Sequence, residues 1–148
     1  MAELQRGLEG VIAAETKISS IIESQLTYAG YDIDDLAENA QFEEVIFLLW
    51  NYRLPNEEEL AHLKGKLNQY MTLNPRDAEN ESDENRYERA MRIQAKVASL
   101  VTAFARVRQD KEPLKPNPDL SYAANFLYML RGELPTDIEV EAFNKALI

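Results

Sequence analysis

Asn117-Pro118-Asp119-Leu120-Ser121-Tyr122-Ala123-Ala124-Asn125-Phe126-Leu127-Tyr128-Met129-Leu130 leads, through Leu134-Pro135-Thr136, into Glu139-Val140-Glu141-Ala142-Phe143-Asn144-Lys145-Ala146-Leu147-Ile148. The reading of this stretch decides the fold. Two helix patterns meet at a tight turn, and Thr136 with Glu139 three residues on has the spacing of a capping box. The second pattern runs to Ile148 on apolar residues. No Gly, Asn or Pro closes it, and no basic residue follows Lys145 to complement its last carbonyls. A domain seldom ends so, and the chain is expected to be part of something larger.

The same device occurs upstream. Phe42–Tyr52 reads as a helix with Glu43 and Glu44 in its first turn, where acids complement the dipole. Val45, Ile46, Leu48, Leu49 and Trp50 make it apolar nearly all round, hence buried. Leu54-Pro55 stops it. Asn56, with Glu59 three residues on, opens the next helix, whose face carries Leu60, Leu63, Leu67, Tyr70 and Met71. We read two similar helical hairpins. Between them lies the longest helical pattern, Asp83 to Gln109, some 40 Å at 1.5 Å per residue. Tyr87, Met91, Ile93, Val97, Leu100, Val101, Phe104 and Val107 are its expected packing face. Ala90, Ala95, Ala98, Ala103 and Ala105 would let other helices come close. Pro113, Pro116 and Pro118 make the following link extended and stiff.

Toward the N-terminus the pattern changes. Residues 11–28 are rich in β-branched and small side chains, and two short strands are expected, at 11–18 and 26–29, turning near Glu23-Ser24-Gln25. A lone hairpin is marginal in water and must lean on the helices or on a partner. Asp34–Asn39 reads as a short helical turn. The fold class is therefore mainly α with a short N-terminal β-hairpin: an arm over residues 1–30 and a helical body over 34–148.

Composition narrows the function. The chain has 148 residues, 45% hydrophobic and 28% charged, with a net charge of −10, ordinary for a globular protein. The acidity argues against nucleic-acid binding and against an anionic membrane surface. Cysteine is absent, which removes disulfides, thiol nucleophiles and thiolate metal sites. Glu3, Arg6 and Glu9 interrupt any signal-peptide pattern, and no run of about 18 apolar residues offers a membrane span. A cytoplasmic location is expected.

Residues that could carry chemistry are few. His62, the sole histidine, makes a Glu-x-x-His step with Glu59, the spacing of di-iron bundles, but a second step is missing. Asp34 and Asp35 could be a paired acid and base; more often such a pair caps a helix. Trp50, Tyr122 and Tyr128 could line a pocket, but their spacing is that of core residues. The acidic run Asp77, Glu79, Glu81, Asp83, Glu84 lacks the Gly and terminal Glu of a calcium loop and reads as a solvated segment. The five glycines form no phosphate loop. No residue is assigned a catalytic, cofactor-binding or metal-binding role.

Four phrases carry a resemblance. They are Gly7-Leu8-Glu9-Gly10-Val11-Ile12-Ala13-Ala14-Glu15-Thr16-Lys17-Ile18-Ser19; Gly30-Tyr31-Asp32-Ile33-Asp34-Asp35-Leu36-Ala37-Glu38-Asn39-Ala40-Gln41-Phe42-Glu43-Glu44-Val45, running on to Leu48-Leu49-Trp50; Arg92-Ile93-Gln94-Ala95-Lys96-Val97-Ala98-Ser99-Leu100-Val101; and Ser121 to Leu130. In this order they resemble citrate synthases of the short bacterial type and touch most of the chain. The resemblance implies the N-terminal part of the family's large helical domain, spanning residues 1–148, in a homodimer held by packed helices of that domain. It implies condensation of acetyl-CoA with oxaloacetate to citrate, with acetyl-CoA as substrate and no cofactor. A positioned aspartate would take a proton from the acetyl methyl group, and histidines would serve the enol and the oxaloacetate carbonyl. In the family those groups, and the arginines that hold the dicarboxylate, come after this stretch, beginning with a Leu-His-Ala-Asp-His-type phrase. The small domain would also lie beyond Ile148.

Two departures bear on this. The catalytic phrases are absent, and Leu73-Asn74-Pro75 meets Arg76-Asp77-Ala78 where the family has an insertion with a His-Pro-Met phrase and another helix. Either the chain is a shortened version or it represents a longer chain with a segment missing; the second is expected. Ala29 stands where many members have Arg, which leaves that position without an expected role. The alternatives are 2-methylcitrate synthase, using propionyl-CoA, and a non-catalytic helical interaction module. On the enzyme reading these residues alone should expose an apolar surface of Phe126, Met129, Leu130, Phe143 and Leu147.

Overall fold

The computed structural model of the chain describes residues 16–22, 24–73 and 86–148. Three short strands open it: β1 (Ser19–Ile22), β2 (Gln25–Tyr28) and β3 (Tyr31–Asp32), antiparallel in that order. Ser20 faces Thr27 across the first pair, and their hydroxyls lie 2.7 Å apart. Ala29 and Gly30 connect β2 to β3 with φ of 49° and 91°. Positive φ at both central residues is the mirror-image turn whose twist suits a two-residue hairpin.

The expected strands are thus corrected. Part of the 11–18 strand lies outside the described residues, and 16–18 are not strand. The register of β1 against β2, with Ser19 opposite Tyr28 and Ile22 opposite Gln25, puts the first strand at 19–22 instead. The third strand went unread, since Ala-Gly is a weaker turn signal than Asn-Gly. The sheet leans on the helices as expected: Tyr28 and Ala29 pack against Leu36, Val45 and Leu48.

Six helices follow: α1 (Ile33–Asn39), α2 (Phe42–Asn51), α3 (Glu57–Met71), α4 (Arg86–Val107), α5 (Tyr122–Arg131) and α6 (Asp137–Leu147). The two hairpins, α2–α3 and α5–α6, turn alike. Each first helix ends on a left-handed residue, Tyr52 at φ 59° and Gly132 at φ 94°. A Leu-Pro pair follows, then a capping box: Asn56 with Glu59, and Thr136 with Glu139.

α4 joins the hairpins, packing most extensively on α3 and α5. It spans 22 described residues, about 33 Å at the standard rise. The expected residues 83–85 lie outside the described part. Its packing face agrees with expectation at Tyr87, Met91, Ala95 and Ala98 and differs at the remaining bulky residues. Met91, Ala95, Ala98, Ser99 and Thr102 are buried, while Ile93, Val97, Leu100, Val101, Phe104 and Val107 are 49–65% exposed. Small side chains face inward because they let the backbones of α3 and α5 approach, and the bulky apolar stripe is left outside. Ser99 Oγ then donates to Met71 O at 2.6 Å, closing the end of α3.

The expected apolar surface on α5 and α6 is also corrected. Met129 is 1% exposed and packs in the main core; Phe126 and Phe143 stack at 4.9 Å and are half-buried, as are Leu130 and Leu147. The exposed apolar stripe of six residues lies on α4, while on α6 and the turn before it Ile138 and Leu134 are exposed.

Candidate functional site

Residues 40–43, the link from α1 and the first turn of α2, hold both ends of the α5–α6 hairpin. Glu43 is 2% exposed, and its Oε1 accepts a hydrogen bond from the Tyr122 backbone N–H at 2.9 Å. A carboxylate there complements the positive end of the α5 dipole and satisfies one of its unpaired donors. Glu43 Oε2 has no hydrogen-bond partner. At the other end, Asn144 of α6 accepts from the Phe42 N–H at 2.8 Å and donates to Ala40 O at 2.9 Å. A cleft of about 400 Å³ lies beside this junction, lined by Gln41, Glu43, Lys64, Ser121, Asp137 and Asn144 among others.

Asn125 is fully buried and organises the Pro-rich link before α5. Its Oδ1 accepts from Asn117 N–H at 2.8 Å, and its Nδ2 donates to Asn117 O at 2.7 Å. At the far end of α5, Gly132 leaves room for Arg106: a Cβ on Gly132 would meet Arg106 Nη1 at 2.8 Å. Arg106 Nε donates to Glu112 O at 2.7 Å.

The sequence candidates fall elsewhere. Glu59 is engaged twice, in a bidentate ion pair with Arg53 and as acceptor from the Asn56 N–H at 2.9 Å. The Arg53 hydrogen bonds, then the one from Asn56, hold its carboxyl down at about 2. His62 lines a separate cleft of about 300 Å³ with Arg53, Glu59, Asn51 and Tyr87. Among the described residues no group of three or more His, Asp or Glu could hold a metal ion. Asp34 and Asp35 occupy the first turn of α1, and the cap itself is Asp32, whose Oδ1 accepts from the Asp34 N–H at 2.8 Å. Tyr122 is a core residue: its hydroxyl donates to Gln94 O at 3.0 Å, and burial pushes its pKa up. Trp50 and Tyr128 pack against the same core.

Sequence reasoning missed the role of Glu43, which it took only as a dipole-matching acid, and of Asn144. A signal for Asn144 was present: Val140, Phe143, Asn144 and Leu147 follow the i, i+3, i+4, i+7 rule, so a polar residue stands in an apolar stripe.

The four phrases, the all-helical body and its small N-terminal sheet find their counterparts in one family. The family described as "Citrate synthase, C-terminal domain" matches residues 7–80 and 71–148, two stretches that overlap over 71–80. Citrate synthase 2 of Bacillus subtilis is 46% identical over 174 residues, covering 97% of this chain and 47% of that protein. Citrate/2-methylcitrate synthase of the same organism is 34% identical, covering 96% and 47%. The crystal structure of citrate synthase from Thermotoga maritima superposes with a TM-score of 0.81 at 28% identity, covering 97% of this chain and 45% of that one. The chain belongs to the citrate synthase family. It spans about half the length of the curated relatives it matches.

Proposed function

We propose that the chain is the N-terminal segment of a citrate synthase, an acyltransferase that condenses acetyl-CoA with oxaloacetate to give citrate and CoA, the entry step of the tricarboxylic acid cycle. The observation that carries this is the 46% identity to a citrate synthase across 97% of the chain. These residues serve as scaffold of the large domain, and the groups that bind and transform substrate lie in the part of the enzyme beyond Ile148. Acetyl-CoA acts as substrate, and the enzyme needs no cofactor.

The partner is a second copy of the chain, in a homodimer packed through large-domain helices. The exposed stripe of α4 supports this, because a contiguous apolar face of that length is rare on a monomer. We place the enzyme in the cytoplasm. Among the described residues no helix is long and apolar enough to cross a membrane, and neither cysteine nor a net positive charge points to secretion or to polyanions.

Release of CoA thiol by the complete enzyme with acetyl-CoA and oxaloacetate tests the reading; citrate should form. Use of propionyl-CoA in preference would favour 2-methylcitrate synthase, which the name of the 34% identical relative brings into view. A stable 148-residue protein with neither activity would leave the non-catalytic helical module.

A further inference from the structure

One side chain of α6, Asn144, hydrogen-bonds in both directions to the link from α1 and the first turn of α2. Asn144 Oδ1 takes the Phe42 N–H at 2.8 Å, and Asn144 Nδ2 gives a hydrogen to Ala40 O at 2.9 Å. One partner is a donor and the other an acceptor, and a side-chain amide carries both functions on one rigid plane. Aspartate would set a carboxylate against the Ala40 carbonyl; leucine, of similar shape, would leave both backbone groups unpaired. The contact bridges 102 residues of sequence. Its anchor is the same junction from which Glu43 holds the start of α5. The clamp sits in the last turn of α6, four positions before Ile148, and fixes both the rotation of the helix and its height against α1 and α2. None of the residues of α6 is fully buried, and its other ties are the half-buried Phe143, stacked on Phe126, and Leu147 against the main core.

We propose that Asn144 is a positioning residue for catalysis: it sets the direction in which the chain leaves α6, and so the placement of the reacting groups beyond it. This rests on the citrate synthase reading above. Asn144 touches no substrate and acts only through the helix that carries the chain onward.

The test uses the complete enzyme, with Asn144→Leu and Asn144→Asp assayed well below their melting temperatures. A misplacement of the order of 1 Å costs roughly 10²-fold in rate. For Asn144→Leu, kcat should therefore fall about 10- to 100-fold while KM for oxaloacetate stays within about threefold. Asn144→Asp, which keeps the bond from Phe42, should fall between it and the parent. Lys145→Ala, one residue on and exposed, should leave kcat unchanged. If both Asn144 variants keep kcat within about twofold and lose only thermal stability, the residue is a structural tie and the proposal is overturned. A parent enzyme that makes neither citrate nor 2-methylcitrate would overturn the underlying reading, and this one with it.

Discussion

Glu43 shows how one residue changes meaning between sequence and fold. In the sequence it is one of two acids in the first turn of α2. In the structure it is a buried carboxylate that caps a different helix, with Oε1 on the Tyr122 N–H. Glu43→Ala removes that acceptor and leaves a void, and should cost about 2–4 kcal/mol in denaturant unfolding. Glu43→Gln keeps an acceptor and loses only the charge at the helix end, so about 1 kcal/mol is expected. Gly132 is the second such residue. Its φ of 94° and the 2.8 Å approach of Arg106 to its missing Cβ both oppose a side chain. Gly132→Ala should cost about 1–2 kcal/mol, and combined with Arg106→Ala the two effects should fall short of additive. Legibility at this scale was partial. That Gly132 ends α5 could be read from Arg-Gly before Leu-Pro; that Arg106 needs its bare backbone could not, because Arg106 is distant in sequence.

At the scale of elements, the paired turns were the most legible part. Capping boxes are contacts between residues three apart, so local sequence carries all the information they need. Both were found where the spacing put them. Their glutamates also carry a pH dependence. Glu59 and Glu139 are lowered from 4.5 to about 2, Glu59 first by Arg53 and Glu139 first by the Thr136 backbone N–H, then by Arg131. A carboxyl lowered on folding stabilises the folded state above its unfolded pKa. The contribution is complete above pH 4.5, is lost as pH falls toward about 2, and should vanish from an acid titration of the melting temperature in Glu59→Gln/Glu139→Gln.

The long helix α4 was legible in extent and not in orientation. Its sequence holds two candidate faces, a bulky one and a small one, and periodicity marks both equally. Close approach to α3 and α5 decided for the small one. Ala98→Leu, on the buried face, should cost about 1–3 kcal/mol by overpacking. Leu100→Gln, on the exposed stripe, should change the stability of the isolated chain by no more than about 0.5 kcal/mol.

For the whole molecule the same stripe makes a different prediction. If a second copy covers it, Leu100→Glu with Phe104→Glu should halve the mass seen by light scattering while leaving the helical circular dichroism of each chain intact. A partner-free stripe would leave the mass unaltered. Four phrases in order made the family legible in the sequence alone, because each is set by several residues at once. The site was not legible at this scale: on the proposed reading the reacting groups belong to a part of the enzyme outside these residues.

What the sequence determined by itself is what short-range physics controls. Helix positions follow from apolar spacing, their ends from caps, Leu-Pro stops and left-handed turns, and all of these act within about four residues. The family follows from the phrases those elements contain. Tertiary structure alone decided which face of α4 turns inward, where β1 falls, and that residues 40–43 grip both ends of the last hairpin. The grip of residues 40–43 rests on partners 79 and 102 residues apart. A polar residue in a local pattern announces that it needs a partner; only the folded chain says which.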